Sequence, residues 1–261
     1  MSVWGVAMVK DEADFIERVV THMHYHCDQL LIADNGSTDG TRELLEALPC
    51  EVVDDDDPAY YQSAKMTKLA RIARLEGAKW VVPFDADELW VGRDARERIS
   101  DLLGSLPEPA VICDAAIIDH VATPGAPEMP YRRTTQLPLR KVACRAVEGL
   151  VIEQGNHGAV FPDVEFPLRA TDCLRVHHYP YRSPEQFIRK ARNGAAAYAA
   201  TDLDESVGAH WRGYGKLSDD ELRELFYKWF YREHPEMGHV IDGERQDALV
   251  LDPAPRRLVR V

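Results

Sequence analysis

Three carboxylates crowd the end of one apolar run: Trp80-Val81-Val82-Pro83-Phe84 leads directly into Asp85-Ala86-Asp87-Glu88. Along an extended backbone, side-chain direction repeats every two residues, so Asp85 and Asp87 point to the same side. Like charges held that close repel one another unless a cation lies between them. Carboxylate oxygens suit Mg²⁺ and Mn²⁺, hard octahedral ions that bind through one or two protein carboxylates plus substrate phosphates. A bare Asp-x-Asp is ordinarily a solvated turn. Its place at the mouth of a buried strand makes this pair a candidate metal site.

A second polar segment has the same setting. The strand-like run Gln29–Ala33 empties into Asp34-Asn35-Gly36-Ser37-Thr38-Asp39-Gly40-Thr41. As structure alone this is a well-made turn, with Asn-Gly for the bend and Ser37, Thr38 or Asp39 capping the next helix. As chemistry, a carboxylate or amide at a strand end reads the edge of a base or a ribose. The acidic run Asp54–Asp57 reads as a solvated loop close enough to a sheet edge to touch a ribose. His22, His24 and His26 alternate within a helix-like segment, which predicts partly buried polar residues that do not share one face.

Strand-like and helix-like patterns alternate through the first half. Val3–Val9, Gln29–Ala33, Glu51–Val53 and Lys79–Phe84 read as strands. Glu12–His26, Thr41–Leu48 and Ser63–Gly77 read as helices, the last ending on a glycine cap. This β-α-β-α-β-α-β order implies an α/β fold with a largely parallel sheet flanked by helices, its strand C-termini along one ligand-binding edge. The second half is less regular. Ala110–Val121, Leu139–Val147 and Cys173–His177 read as strands, and Ala122–Pro138 as a Pro-rich connection. Ser183–Gln186 and Ser218–Glu221 read as capping boxes, the latter opening a helix with Leu222, Leu225, Phe226, Trp229 and Phe230 on one face. Residues from about Asp242 read as a loosely held terminus. One domain is expected, with residues 1–95 as a ligand- and metal-binding half and 96–261 as a second half ending in helices.

Taken together, Val6-Ala7-Met8-Val9-Lys10-Asp11-Glu12, Asp34–Thr41 and Phe84-Asp85-Ala86-Asp87-Glu88 resemble the family 2 glycosyltransferases of GT-A fold. Within that family the chain looks most like the bacterial and phage-type subgroup with a "KxE … DNGSTDGT … DxDE … HY" arrangement. The resemblance covers roughly residues 2–95, and relatives commonly show Asn where this chain has Asp11. It implies a nucleotide-sugar donor, UDP- or GDP-linked, cradled by Val9, Lys10, Glu12, Asp34 and Asn35. It also implies Mn²⁺ or Mg²⁺ held by Asp85-Ala86-Asp87 on the donor diphosphate.

A distant histidine is a common third protein ligand in that fold. His177-His178-Tyr179-Pro180-Tyr181-Arg182-Ser183 resembles the corresponding stretch, and His178 is favoured over His177. Arg182, Arg189 and Lys190 nearby are candidate phosphate cations, although helix-surface solvation is the ordinary reading of the last two. Tyr60, Gln62, Lys65 and Lys68 head the helix before the acidic motif, and Lys65 or Lys68 is a candidate to neutralise the diphosphate. An inverting transfer needs a base for the acceptor hydroxyl. Glu153 and His157, in the polar turn Val151–Gly158, are the candidates, with Asp163 and Asp172 as further acids. Trp90, Trp211 and Tyr214 are candidates to stack on sugar rings, against a default of core packing. The acceptor is left open. Two rival classes remain: a metal-dependent nucleotidyltransferase, for which no Gly-rich basic N-terminal loop is visible, and a non-catalytic nucleotide-sugar-binding module, which the intact Asp pair argues against.

The bulk properties agree with this reading. The chain has 261 residues, 45% of them hydrophobic and 29% charged, values of a protein with a buried core. A formal net charge of −13 argues against non-specific nucleic-acid binding, which draws on Lys and Arg displacing counterions. An acidic protein holding a polyphosphate needs a cation to mediate. Cys27, Cys50, Cys113, Cys144 and Cys173 are odd in number and form no CxxC pair, so neither a disulfide framework nor a zinc knuckle is expected. No signal peptide and no membrane-length apolar run is apparent, and the cytoplasm is the expected location.

Overall fold

Strand β1 (Val3–Val9) is apolar on both faces because both faces are covered. Val3, Ala7 and Val9 join one hydrophobic cluster, while Trp4 and Val6 join another on the opposite side, as expected of parallel strands sandwiched between helices. The computed structural model describes residues 1–94, 96–134, 138–162, 164–252 and 255. After β1 come α1 (Ile16–His26), β2 (Gln29–Asp34), α2 (Thr41–Glu46), β3 (Glu51–Asp54), α3 (Gln62–Leu75) and β4 (Trp80–Pro83). Parallel pairing gives the order β3-β2-β1-β4. Helices α1 and α2 cover one face through Ile16, Val19 and Leu45. Helix α3 covers the other through Met66, Leu69, Ala70 and Ala73. Gly77, at φ +98°, follows α3 as the anticipated left-handed cap. Gly5 is needed for another reason: a Cβ there would fall 2.6 Å from the Leu30 side chain and 3.0 Å from Phe84.

The sheet then continues in mixed fashion. The remaining elements are β5 (Glu88–Gly92), α4 (Ile99–Ser105), β6 (Ala110–Thr123), β7 (Ala126–Arg132), β8 (Arg140–Arg145), β9 (Val151–Ile152), β10 (Ala159–Val160), β11 (Leu168–His178), α5 (Pro184–Ala199), α6 (Ala209–Tyr214), α7 (Asp219–Trp229), β12 (His239–Ile241), β13 (Glu244–Gln246) and β14 (Val250–Leu251). Strand β8 runs antiparallel between β4 and β6. Strand β11 pairs in parallel with β6 and antiparallel with β5. Phe187 and Ala191 of α5 and Leu222 and Phe226 of α7 extend the cluster begun by α1. Among the described residues no helix is long and apolar enough to cross a membrane, and all five cysteines are free thiols.

Several sequence expectations need correction. The Pro-rich connection 122–138 contains strand β7, which pairs with the end of β6; residues 135–137 lie outside the described set. Its prolines escape notice as strand residues because Pro130 only accepts here, its carbonyl taking the Asp252 N–H at 2.8 Å. The C-terminal segment is held further than expected: β12 pairs β13, β14 pairs β7, and Arg132 meets Asp252 at 2.6 Å. The Ser218–Glu221 capping box forms reciprocally. At Ser183 only half forms, because Gln186 Oε1 accepts the Arg182 N–H instead.

The histidines also depart from expectation. His22 and His26 lie four residues apart on α1, which is one helical turn, so they do share a face. Both are buried, with ring centroids 4.6 Å apart, and His22 Nε2 donates to the Trp90 carbonyl at 2.6 Å. Burial holds both imidazoles neutral, lowering His22 to about 4 and His26 to about 2. A histidine whose folded pKa lies below its unfolded value contributes stability above the unfolded value, and that contribution fades as pH falls toward the folded one. Wild-type stability should therefore drop between pH 6.5 and pH 4, His22 accounting for about 3 kcal/mol of the fall. Urea unfolding across that range should show a shallower pH slope for His22→Gln; identical slopes would refute the assignment.

Candidate functional site

The C-terminal ends of β1, β2, β3 and β4 lie along one edge, so Lys10, Asp34, Asp54 and the Asp85 motif all emerge there. This is where open α/β sheets bind ligands. A cavity of about 330 Å³ opens among Lys10, Asp34, Asn35, Gly36, Asp54, Asp55, Asp56 and Pro58. Its floor is pre-set. Lys10 Nζ donates to the Asn35 carbonyl at 2.7 Å. Asn35 Nδ2 donates to the Asp55 carboxylate at 2.9 Å and the Asp57 carbonyl at 2.6 Å. Asp34 accepts from Ser37 Oγ at 2.5 Å, and Val9 is buried, its carbonyl taking the Asn35 N–H at 2.9 Å. Asp11 sits at φ +53°, a left-handed conformation that Asn and Asp tolerate best among side-chain-bearing residues. That explains how Asp can stand where the resemblance leads one to expect Asn.

Helix α3 joins this cavity to the acidic motif. Lys65 meets Asp55 at 2.7 Å, and one turn earlier Gln62 Nε2 reaches Asp85 at 3.3 Å. Residues three apart on a helix are neighbours, so the two regions adjoin. Lys68 does not join them: it is exposed and makes no ion pair among the described residues. A larger cavity, about 440 Å³, lies beside the start of α1 among Phe15, Arg18, His22 and Leu89, and none of the motif's acids lines it.

Each acid of the motif has a cation. Lys141, on β8, is buried and meets Asp85 at 2.5 Å and Glu88 at 2.9 Å. Asp85 also accepts from Asn156 Nδ2 at 3.0 Å. Glu88 is fully buried and accepts from the Asp85 N–H at 3.1 Å and Trp90 Nε1 at 3.0 Å. Burial raises its pKa despite the Lys141 charge. Burial alone would lower the Lys141 pKa, but Asp85 and Glu88 outweigh it and raise it. Asp87 carries the Lys190 ammonium on Oδ2, and its backbone carbonyl accepts from the Tyr179 N–H at 2.9 Å. Burial would raise the Asp87 pKa; the Lys190 and His178 charges hold it well below the usual value.

Strand pairing positions the histidine. In register, His178 stands beside Glu88 of β5 and Asp119 of β6. Its Nδ1 meets Asp119 at 2.8 Å, and its Nε2 lies 3.7 Å from Asp87 Oδ2. Burial acts to lower this pKa, but Asp87 and Asp119 together raise it to about 10. His177 points to the other face, where its Nδ1 lies 2.9 Å from His120 Nε2. A carboxylate behind one imidazole nitrogen, with the other nitrogen facing a second carboxylate, is the arrangement that orients a metal-ligating histidine. Ligand atoms about 2.1 Å from a shared octahedral ion lie about 3 Å apart; Asp87 and His178 are of the right chemistry for such a pair and stand somewhat wider, at 3.7 Å. Asp85 fits less well: both of its oxygens are engaged by Lys141, Asn156 and Gln62. Among the described residues no group of three or more His, Cys, Asp or Glu side chains is spaced to hold a metal ion.

Of the other predicted residues, some converge beside the motif and some do not. Arg182 and Lys190 both engage Glu12, Arg182 also meeting Asp14 at 2.8 Å; Arg189 meets Asp14 at 3.2 Å. His157 is half-buried, its Nδ1 on the Arg140 carbonyl at 2.9 Å, and burial lowers its pKa. Glu153 is exposed, its carboxylate folded against Gly158. Asp172 is exposed, and Asp163 lies outside the described residues. Trp90 is buried in the core. Lys141 and Asp119 escaped the sequence reading. Lys141 carried a signal: a lysine inside a strand whose neighbours Val142 and Ala143 serve opposite faces must find an acid.

No protein-family model and no curated protein sequence matches the chain. Among solved structures it is similar to a mycobacterial protein, at 15% identity over 78% of this chain and 76% of that one, with a TM-score of 0.41. It is also similar to glucosyl-3-phosphoglycerate synthase from Mycobacterium tuberculosis in complex with Mg²⁺ and UDP, at 19% identity and TM-score 0.34. That match covers 44% of this chain and 43% of the synthase. A nucleotidyl transferase from Methanothermobacter thermautotroptrophicus matches at 11% identity over 56% of this chain and 72% of that one, with a TM-score of 0.32. Likenesses this distant assign no activity.

Removing Lys141 strands two acids, one of them fully buried. Lys141→Met should lower the unfolding free energy by about 3–5 kcal/mol. Adding Glu88→Gln should recover part of the loss in a double-mutant cycle. Equal urea midpoints for wild type and Lys141→Met would remove the lysine from the site's support.

Proposed function

We propose that this protein is a metal-dependent glycosyltransferase of GT-A type, which moves a sugar from a nucleoside-diphosphate donor to an acceptor hydroxyl. The reading rests above all on Asp87 Oδ2 and His178 Nε2, 3.7 Å apart and backed by Asp119, beside the cavity of Lys10, Asp34 and Asn35. That cavity offers hydrogen-bonding groups of the kind a base and ribose need, and α3 places it next to the acids. Asp87 and His178, with Asp85 if it exchanges Lys141 for the ion, would hold Mn²⁺ or Mg²⁺. When bound, the ion supplies positive charge to the departing diphosphate.

The chain's own groups do the rest. Lys10 and Asn35 hold the nucleoside end, and Lys65 and Lys190 add cationic charge along the diphosphate path. His157 is the better of the two base candidates. Its Nδ1–H donates to a carbonyl, which leaves the Nε2 lone pair to take the acceptor hydroxyl's proton, and its lowered pKa keeps it neutral near pH 7. Direct displacement with inversion follows if His157 acts so.

Calorimetry with UDP and GDP should show Mn²⁺-dependent binding in wild type, weakened at least tenfold by Asp87→Asn. Donor hydrolysis should fall with it, and His157→Ala should lower turnover without weakening UDP binding. Nucleoside-diphosphate binding that ignores both Mn²⁺ and Asp87→Asn would overturn the proposal. Binding without any hydrolysis or transfer would leave only a nucleotide-sugar-binding module.

A further inference from the structure

The two lysines at the acidic motif are not equivalent. Lys141 is sealed, only 6% of its side chain exposed, and it serves the fully buried Glu88 as well as Asp85. Lys190 comes from α5, keeps 24% of its side chain exposed, and sits on Asp87 Oδ2. That oxygen is the one His178 Nε2 faces, so a divalent ion joining Asp87 to His178 needs the place the ammonium holds. Two cations cannot share one carboxylate oxygen without strong repulsion. Lys190 also has somewhere to go. Glu12 Oε1 lies 3.6 Å from its Nζ, and Arg182 already anchors the other Glu12 oxygen. A flexible four-carbon stem carrying a point charge suits such an exchange better than a guanidinium fork would.

We propose that Lys190 is a displaceable counter-ion. It neutralises Asp87 while no metal is bound, competes with the divalent ion for that oxygen, and on release presents its ammonium to the donor diphosphate. The inference rests on the metal site proposed above. It assigns Lys190 a positioning and binding role with two opposite thermodynamic signs: it opposes the metal alone and favours the metal-bound nucleotide. A lysine that merely stabilised the fold would not produce that pair.

The test uses the full chain and two probes, Mn²⁺ alone and UDP at saturating Mn²⁺, both titrated calorimetrically. Relative to wild type, Lys190→Met should bind Mn²⁺ alone at least tenfold more tightly and UDP with Mn²⁺ about tenfold more weakly. Lys190→Gln should behave the same way, and far-ultraviolet circular dichroism should show both variants folded. Should one variant fail to fold, the other carries the measurement. His178→Ala should abolish the gain in Mn²⁺ affinity in the double variant. If Lys190→Met binds Mn²⁺ as wild type does, or more weakly, the counter-ion role is wrong while the metal site stands. If no variant binds Mn²⁺ and UDP still binds, the metal site fails and this inference falls with it.

Discussion

Buried negative charge at the edge of the sheet is the constraint on which this molecule depends. Asp87 and Glu88 are almost wholly withdrawn from solvent, and ionised carboxylates tolerate that only when paired. Their partners come from far along the chain: Lys141 from β8, His178 from β11 and Lys190 from α5. The mixed half of the sheet exists, in this light, to deliver cations to acids that the parallel half ends on. β8 docks against β4 and β11 against β5, so each donor strand lies directly beside the strand or turn that it neutralises.

The same chain of pairs continues beyond the motif. Asp119 backs His178, while Arg182 and Lys190 converge on Glu12, and Asn193 Nδ2 holds the Asp11 carboxylate at 2.7 Å. Helix α5 thus clamps the loop after β1 as well as the motif after β4. Low dielectric strengthens such a network when it is complete and penalises any gap in it.

Much of the parallel half was legible in the sequence, because strands covered on both faces read as unbroken apolar runs and the helices between them carry recognisable ends. The placement of residues at the sheet edge was legible where they follow those strands: Asp34 and Asn35 line one cavity there, and His178, not His177, faces Asp87. What stayed hidden was long-range. The strand around Lys141 signals that this lysine needs an acid but not which one, and nothing local distinguishes Asp119 in β6 from a solvated aspartate; the partners Asp85 and His178 lie about 55–60 residues away. β7 was obscured by its prolines and β14 by its brevity. The two-residue alternation of His22, His24 and His26 hides the four-residue step that brings His22 and His26 together.

The separation of partners has a consequence for how the protein comes into being on the ribosome. Strands β1 to β4 can pair once the first hundred or so residues have emerged, since their pairings with one another lie within that stretch. Glu12 meets Arg182 across 170 positions and Asp87 meets Lys190 across 103. Until residues 182–190 leave the exit tunnel, Glu12 and Asp87 lack their Arg182 and Lys190 partners and stay hydrated. The pairing of these two acids therefore waits on a segment about a hundred or more positions further along the chain.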